Sequence, residues 1–193
     1  MKKVILLAVV MIASLTASAQ RAVGGLTLKP MVGMTIATIT GGSADSKVGL
    51  AAGAEAEYVL ADKFALTGGL IYSMQGCKRS SSGLSSTTSL DYLNIPILAN
   101  YYIIPGLAAK AGIQPAFNLR AKGKLEYQGK TEESDINGVK TLDFSIPLGL
   151  SYEISDFVID ARYQLGLTDI VSGDSNKNSV FMISVGYKFD LLP

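Results

Sequence analysis

The sequence predicts an all-β protein, an eight-stranded antiparallel up-and-down transmembrane β-barrel with a polar, plugged lumen. Three observations predict it. Apolar and polar residues alternate along eight segments, the period of a strand with one oily and one polar face. Tight and long connections alternate between those segments, so loops gather at one end of the meander and turns at the other. Charged residues make up 17% of the chain, against a usual share of about 25%, beside 48% hydrophobic residues.

The first element is not a strand. The chain opens on MKK, runs through an apolar stretch from Val4 to Leu15 and reaches Ala17-Ser18-Ala19, the pattern of a secretory signal peptide with a small-residue cleavage site. Residues 1–19 are therefore expected to be removed and residues 20–193 to form an outer-membrane barrel domain. No later run approaches the ~18 uninterrupted apolar residues of a membrane-spanning helix, because Gly, Ser, Lys or Glu interrupts each one.

Strands are predicted over 26–39, 48–59, 64–76, 90–102, 107–120, 141–153, 157–168 and 179–190. The seventh shows the pattern most clearly: Phe157, Ile159, Ala161, Tyr163, Leu165 and Leu167 alternate with Val158, Asp160, Arg162, Gln164, Gly166 and Thr168. The links at 60–63, 103–106 and 154–156 are tight, whereas 40–47, 77–89, 121–140 and 169–178 are long and polar. Both termini then fall at the short-turn end, the periplasmic side of bacterial outer-membrane barrels. Asn137-Gly138 has the composition of a hairpin turn, which would prolong strands five and six past the wall as a ribbon around KLEYQGK.

Alternation alone does not say which face is outside, because a soluble up-and-down barrel has its oily face inward. Volume decides. An eight-stranded barrel has an interior just wide enough for side chains, and the oily face offers too many large groups to fit there. The other face carries small residues: Gly49, Ala51 and Gly53 in strand two, Ala65, Thr67 and Gly69 in strand three, Ser145, Gly149 and Ser151 in strand six. An oily exterior about eleven residues tall, at ~3.3 Å each and tilted by ~40°, spans roughly 27 Å, close to the ~25 Å apolar band of such barrels. Tyr58, Phe64, Tyr101, Tyr152, Phe157, Tyr187 and Phe189 cluster at the short-turn end, and Tyr72, Phe117, Phe144, Tyr163 and Phe181 nearer the other, as two interfacial girdles.

This register sends Lys29, Glu55, Glu57, Lys110, Gln114, Glu153, Asp160, Arg162, Gln164 and Lys188 into the lumen, with Gln75, Asn94, Asn100 and Asn118. Buried charges are costly unless paired, which predicts Lys29 with Glu55 or Glu57, and Arg162 with Glu153 or Asp160. The network is expected to plug the barrel; the alternative is a narrow ion path lined by the same groups.

Catalysis finds little support. There is no histidine, which removes Ser-His and Cys-His pairs and the commonest metal ligand. Asp174, Asn176 and Asn178 imitate the start of a calcium loop, but Ser179 replaces the required glycine and Val185 stands where the terminal Glu belongs. No cofactor or metal is expected. The single Cys77 forms no intramolecular disulfide and reads as an ordinary loop thiol, and Ser80, Ser81, Ser82, Ser85 and Ser86 read as a mobile loop. A net charge of +1 without a basic block gives no sign of nucleic acid.

Several segments resemble the Bacteroidetes outer-membrane β-barrel family, the porin-family or PorT-like proteins: LDYLNIPILANYY (90–102), AGIQPAFNLRAKGK (111–124), DFSIPLGLSYEI (143–154), FVIDARYQLGLTDI (157–170) and the closing VGYKF (185–189). The resemblance implies an eight-stranded outer-membrane barrel related in architecture to small OmpX-like proteins, one type of which supports secretion of surface proteins. Asn94 stands where an acidic residue is expected before Ile-Pro, and four residues follow Phe189. The expected function is that of a non-enzymatic integral outer-membrane barrel, in contact with outer-membrane lipid, whose extracellular loops meet a protein or glycan partner. The alternatives are a small porin or ion pore, a PorT-type secretion accessory, and a soluble barrel binding a lipidic ligand.

Overall fold

A side chain that faces lipid on one side of a strand forces its neighbour to face the lumen, so the register of pairing decides the whole architecture. The computed structural model of the chain describes residues 22–40, 45–81, 84–127, 130–171 and 176–192. Its strands are β1 (Leu26–Ile39), β2 (Asp45–Ala61), β3 (Phe64–Ser81), β4 (Leu84–Asn94), β5 (Ile97–Ile104), β6 (Leu107–Tyr127), β7 (Lys130–Asp135), β8 (Leu142–Ile154), β9 (Phe157–Asp169), β10 (Lys177–Tyr187) and β11 (Phe189–Leu192). All pairings are antiparallel, and β1 pairs with β10 from Met31↔Gly186 to Ile39↔Asn178, which closes a ring of 8 staves. Closure leaves the wall without a free edge. β4 and β5 are two parts of one stave, β11 carries the last stave on beside the start of β1, and β7 stands outside the ring against the upper part of β6.

Three expectations about the elements are corrected. The predicted fourth strand, 90–102, is broken at Ile95-Pro96 into β4 and β5. Pro96 has no N–H to give to a ladder and a fixed φ, so the chain steps there. Neighbours bridge the step: the Gly69 N–H donates to the Pro96 carbonyl at 3.1 Å and the Ile95 N–H to the Pro115 carbonyl at 2.9 Å. The predicted loop 77–89 is mostly strand, because β3 runs to Ser81 and β4 starts at Leu84. Cys77 is therefore a buried residue of β3, opposite Thr88, and Ser80, Ser81, Ser85 and Ser86 lie on strands; Ser82 lies outside the described residues. The predicted loop 121–140 holds the upper end of β6 and all of β7, which pair from Lys122↔Asp135 to Tyr127↔Lys130. Asn137-Gly138 does form a turn, with Gly138 at φ 85°, but it follows the ribbon and leads the chain towards β8 instead of closing the hairpin.

The faces divide as the volume argument requires. Leu148 is 49% exposed and Leu165 45%, whereas Arg162 is 1% and Asp160 1%. The oily face is outward, so the alternative of a soluble barrel with an oily interior does not describe this chain. At the short-turn end outward rings touch: Phe64 and Tyr101 centroids are 5.0 Å apart, Phe157 and Tyr187 5.1 Å, Tyr187 and Phe189 4.8 Å.

Inside, side chains stack in layers from the short turns upward. Two charged clusters come first, beside Ala65, Tyr102 and Ala108. An apolar layer of Met31, Ala51, Ile71 and Met182 follows. Amides and hydroxyls lie above it, together with the carboxylate of Asp143, and an apolar cluster of Leu90, Tyr92, Ala116 and Ile170 caps them, with Ile39, Ala121, Val139 and Val171 packed on it. The 136–141 connection folds over this cap: Val139 bridges to Val171, and the Lys140 N–H donates to the Ile170 carbonyl at 2.8 Å.

Candidate functional site

The lower charged cluster sits where β2, β5, β8 and the end of β10 meet. Lys188 Nζ lies 2.5 Å from Glu57 Oε1 and 2.5 Å from Glu153 Oε1, so one ammonium holds two carboxylates. The Tyr102 hydroxyl lies 2.7 Å from Glu57 Oε1 and 2.8 Å from Glu153 Oε1, and its single hydrogen serves one of them at a time. Asn100 Nδ2 donates to Glu57 Oε2 at 2.8 Å and to Thr67 Oγ1 at 2.6 Å.

The upper cluster centres on Arg162. Its Nη1 and Nη2 grip both oxygens of Glu55, the Nη2 contact at 2.7 Å, and its Nε and Nη2 reach Asp160 at 2.6 and 2.8 Å. A planar guanidinium can hold two carboxylates with little loss of order, which a lysine cannot do. Lys29 Nζ completes Glu55 at 2.8 Å, and Lys110 Nζ completes Asp160 at 2.9 Å. Three cations face two carboxylates here, and one cation faces two carboxylates below, so the charges of the two clusters cancel.

Glycines make this crowding possible. A Cβ on Gly69 would stand 2.7 Å from Cγ of Glu55, and one on Gly149 2.9 Å from Cγ of Arg162. Small residues in the inward phase are therefore the floor under the long charged stems.

The residues singled out from the sequence fall into three groups. Lys29, Glu55, Lys110, Asp160 and Arg162 come together in the upper cluster; Glu57, Glu153 and Lys188 in the lower. Lys29 takes Glu55 rather than Glu57, and Arg162 takes Asp160 and Glu55 rather than Glu153. Gln114 and Gln164 belong to neither cluster and line the amide layer above, beside Asp143. Asn118 sits at the rim, its Nδ2 3.3 Å from the Arg120 carbonyl. Two features escaped sequence reasoning: Tyr102, and the apolar layer around Met31 and Met182. Both carry the inward phase, two residues on from Asn100 and from Lys29, and only the assumption that inward means polar hid them. Among the described residues no group of acidic, Cys or His side chains is arranged to hold a metal, and Asp174 lies outside those residues.

Above the wall, β3, β4, β6 and β7 continue as a sheet, with rows such as Lys78↔Thr87↔Lys124↔Glu133. Leu125 and Tyr127 are exposed on it. At its base is a cleft of about 150 Å³, where Lys47, Arg120, Lys122 and Lys124 stand around Asp91 and Glu133. Arg120 lies 4.0 Å from Asp91. Lys124 and Glu126 pair at 2.5 Å, and this hydrogen-bonded contact raises the Lys124 amine and lowers the Glu126 carboxyl from their ordinary values.

Residues 18–172 match the family model described as "Outer membrane protein beta-barrel domain". A search of curated proteins finds no match. Among solved structures, the chain is similar to Ail, the attachment invasion locus protein of Yersinia pestis, in complex with the heparin analogue sucrose octasulfate, at 16% identity and a TM-score of 0.54, over 86% of this chain and 99% of that one. It is similar to Neisserial surface protein A at 14% identity and a TM-score of 0.53, over 85% of this chain and 97% of that one. At such identities the likeness speaks for the fold.

Proposed function

This chain belongs to the outer membrane protein β-barrel domain family, and from that premise we propose that it is a non-enzymatic outer-membrane barrel with a closed lumen, whose work is done by the extracellular ribbon. The observation that carries the reading is the contrast along the axis. Salt-bridged clusters, an apolar layer and an apolar cap fill the cross-section, while the sheet of β3, β4, β6 and β7 stands free above it. Surface loops on a rigid scaffold are where binding residues concentrate.

The partner fitted by the basic cleft is an anionic glycan. Four cations surround two carboxylates there, and Arg120 is more than half exposed, free to turn towards sulfate or phosphate. Ail, of similar fold, is known in complex with a heparin analogue. The same proposal takes residues 1–19 as a signal peptide, 20–193 as the barrel domain, and the narrower kinship as PorT-like, on the strength of Ile95-Pro96 and of Ala161-Arg162-Tyr163 followed by Gly166-Leu167.

The test joins both halves. Purified protein in planar bilayers gives no reproducible unitary conductance steps, and it binds sulfated glycan in micelles. Exchanging Lys122 and Lys124 for alanine abolishes that binding and leaves the barrel folded. Selective single-channel steps would reverse the first half; glycan binding untouched by the exchange would reverse the second.

A further inference from the structure

The eight charges of the two clusters are all paired, but one lumen carboxylate is not. Asp143, on β8 beneath the cap, is 7% exposed and has no cationic side chain as partner among the described residues. Its Oδ1 accepts from the Thr168 hydroxyl, and its Oδ2 accepts from Asn178 Nδ2 at 2.7 Å. Beside it is a hole of about 10 Å³, the room of a single water, also lined by Gln114, Ser145, Gln164 and Asn178.

Two carbonyl oxygens at this hole are unpartnered, and the surrounding bonds fix which way they point. Asn94 Nδ2 donates to the Ile71 carbonyl at 3.0 Å and to Ser73 Oγ at 2.8 Å, so Asn94 Oδ1 is turned towards Gln114, whose Nε2 donates to it at 3.1 Å. That leaves Gln114 Oε1 buried with no donor. Asn178 gives its amide hydrogens to Asp143 and, at 3.2 Å, to the Tyr92 hydroxyl; reversing it would set oxygen against carboxylate. That leaves Asn178 Oδ1 without a donor as well. Gln114 is 1% exposed and Asn178 4%, so bulk water reaches neither. Orphaned buried acceptors destabilise the fold, and an uncompensated buried carboxylate does so more.

We propose that Asp143, Gln114 and Asn178 hold one dehydrated monovalent cation of sodium size. A water filling the hole would donate to two of these oxygens but leave the charge of Asp143 uncancelled. A divalent ion would exceed the single carboxylate and leave the buried chamber positive. A single positive charge satisfies both the oxygens and the balance, and hard oxygen ligands suit an alkali ion. Gly166 belongs to the same design, since a Cβ there would stand 2.9 Å from the Asn178 backbone nitrogen and push that residue off the chamber. This site stands independently of the ribbon reading.

The experiment is urea unfolding of the folded chain in detergent micelles, in sodium chloride and in N-methylglucamine chloride at matched ionic strength. The midpoint is expected to be higher in sodium, with the folding equilibrium constant rising by up to roughly tenfold per tenfold sodium. Asp143→Asn removes that dependence, and Gln114→Glu, which adds a second carboxylate, transfers it to calcium. Equal midpoints of the unsubstituted chain in the two salts would overturn the site and leave a water in its place. Sodium dependence that persists in Asp143→Asn would overturn it too; if that variant does not fold, the calcium response of Gln114→Glu decides, and its absence counts against the site.

Discussion

The wall and the ribbon are the same kind of sheet in two solvents. β6 passes through both: from Leu107 to Phe117 its outward residues are apolar and its inward ones small or polar, whereas from Ala121 to Tyr127 charged residues face one side and Gly123, Leu125 and Tyr127 the other. In the wall, lipid on one face and packed side chains on the other penalise any exchange between faces. In the ribbon, water reaches the rows of Ser, Thr, Lys and Glu, and pairing is held by the backbone ladder. The energetic sensitivity to substitution should therefore fall steeply on crossing from the wall to the ribbon.

The steepest drop should come at the lumen charges. Arg162→Met strips Glu55 and Asp160 of their shared partner in a buried site and should cost about 3–5 kcal/mol, read as a lower urea midpoint in micelles. Adding Glu55→Gln should deepen that loss, because Lys29, which still holds Glu55 when Arg162 is gone, then loses its carboxylate.

Next is a matched pair of leucines, each exposed. Leu148→Arg near the middle of the oily face should cost ~2–4 kcal/mol of stability in bilayers, and Leu125→Arg on the ribbon less than about 0.5 kcal/mol. Equal costs would erase the distinction between the two regions.

A matched pair of glycines sharpens the same contrast on the inner side. Gly149→Val, with its Cβ 2.9 Å from Arg162 Cγ, should cost ~1–3 kcal/mol; Gly123→Val, whose nearest neighbour is Ile136 at 3.6 Å, should leave the midpoint unchanged. The smallest effect belongs to Lys124→Ala. It breaks the exposed Lys124–Glu126 pair and should leave the unfolding midpoint unaltered at physiological salt while weakening anionic-glycan binding.

The same difference in solvent explains what the sequence made legible. Where lipid meets one face, alternation is strict, and the staves around FVIDARYQLGLT, with Asp160 and Arg162 inward, could be read directly. Where water meets both faces the oily-against-polar contrast is short, as in Lys122 to Tyr127, or absent, as in the all-polar β7, so the ends of β3, β4 and β6 and all of β7 read as loops, and Cys77 with them. The lumen partners were half legible. Charge pairing follows from burial, but which of Glu55 and Glu57 meets Lys29 depends on side chains crossing the lumen, from staves 107 residues apart in the case of Arg162 and Glu55. No local pattern reports that. Tyr102 was obscured by its own bulk, since an aromatic in the inward phase contradicts a purely polar interior.

Two neighbouring tyrosines offer the most direct measurement of the central claim, that the oily face meets lipid and the charged face is enclosed. The chain has no tryptophan, so Tyr101→Trp and Tyr102→Trp each install a single tryptophan, one in place of a side chain 42% exposed and the other in place of one 7% exposed. In bilayers of brominated lipid, the tryptophan at 101 should be strongly quenched and the one at 102 hardly at all. Strong quenching at 102 with a protected 101 would contradict the register on which the proposed closed lumen, the proposed cation site and the contrast between wall and ribbon all depend.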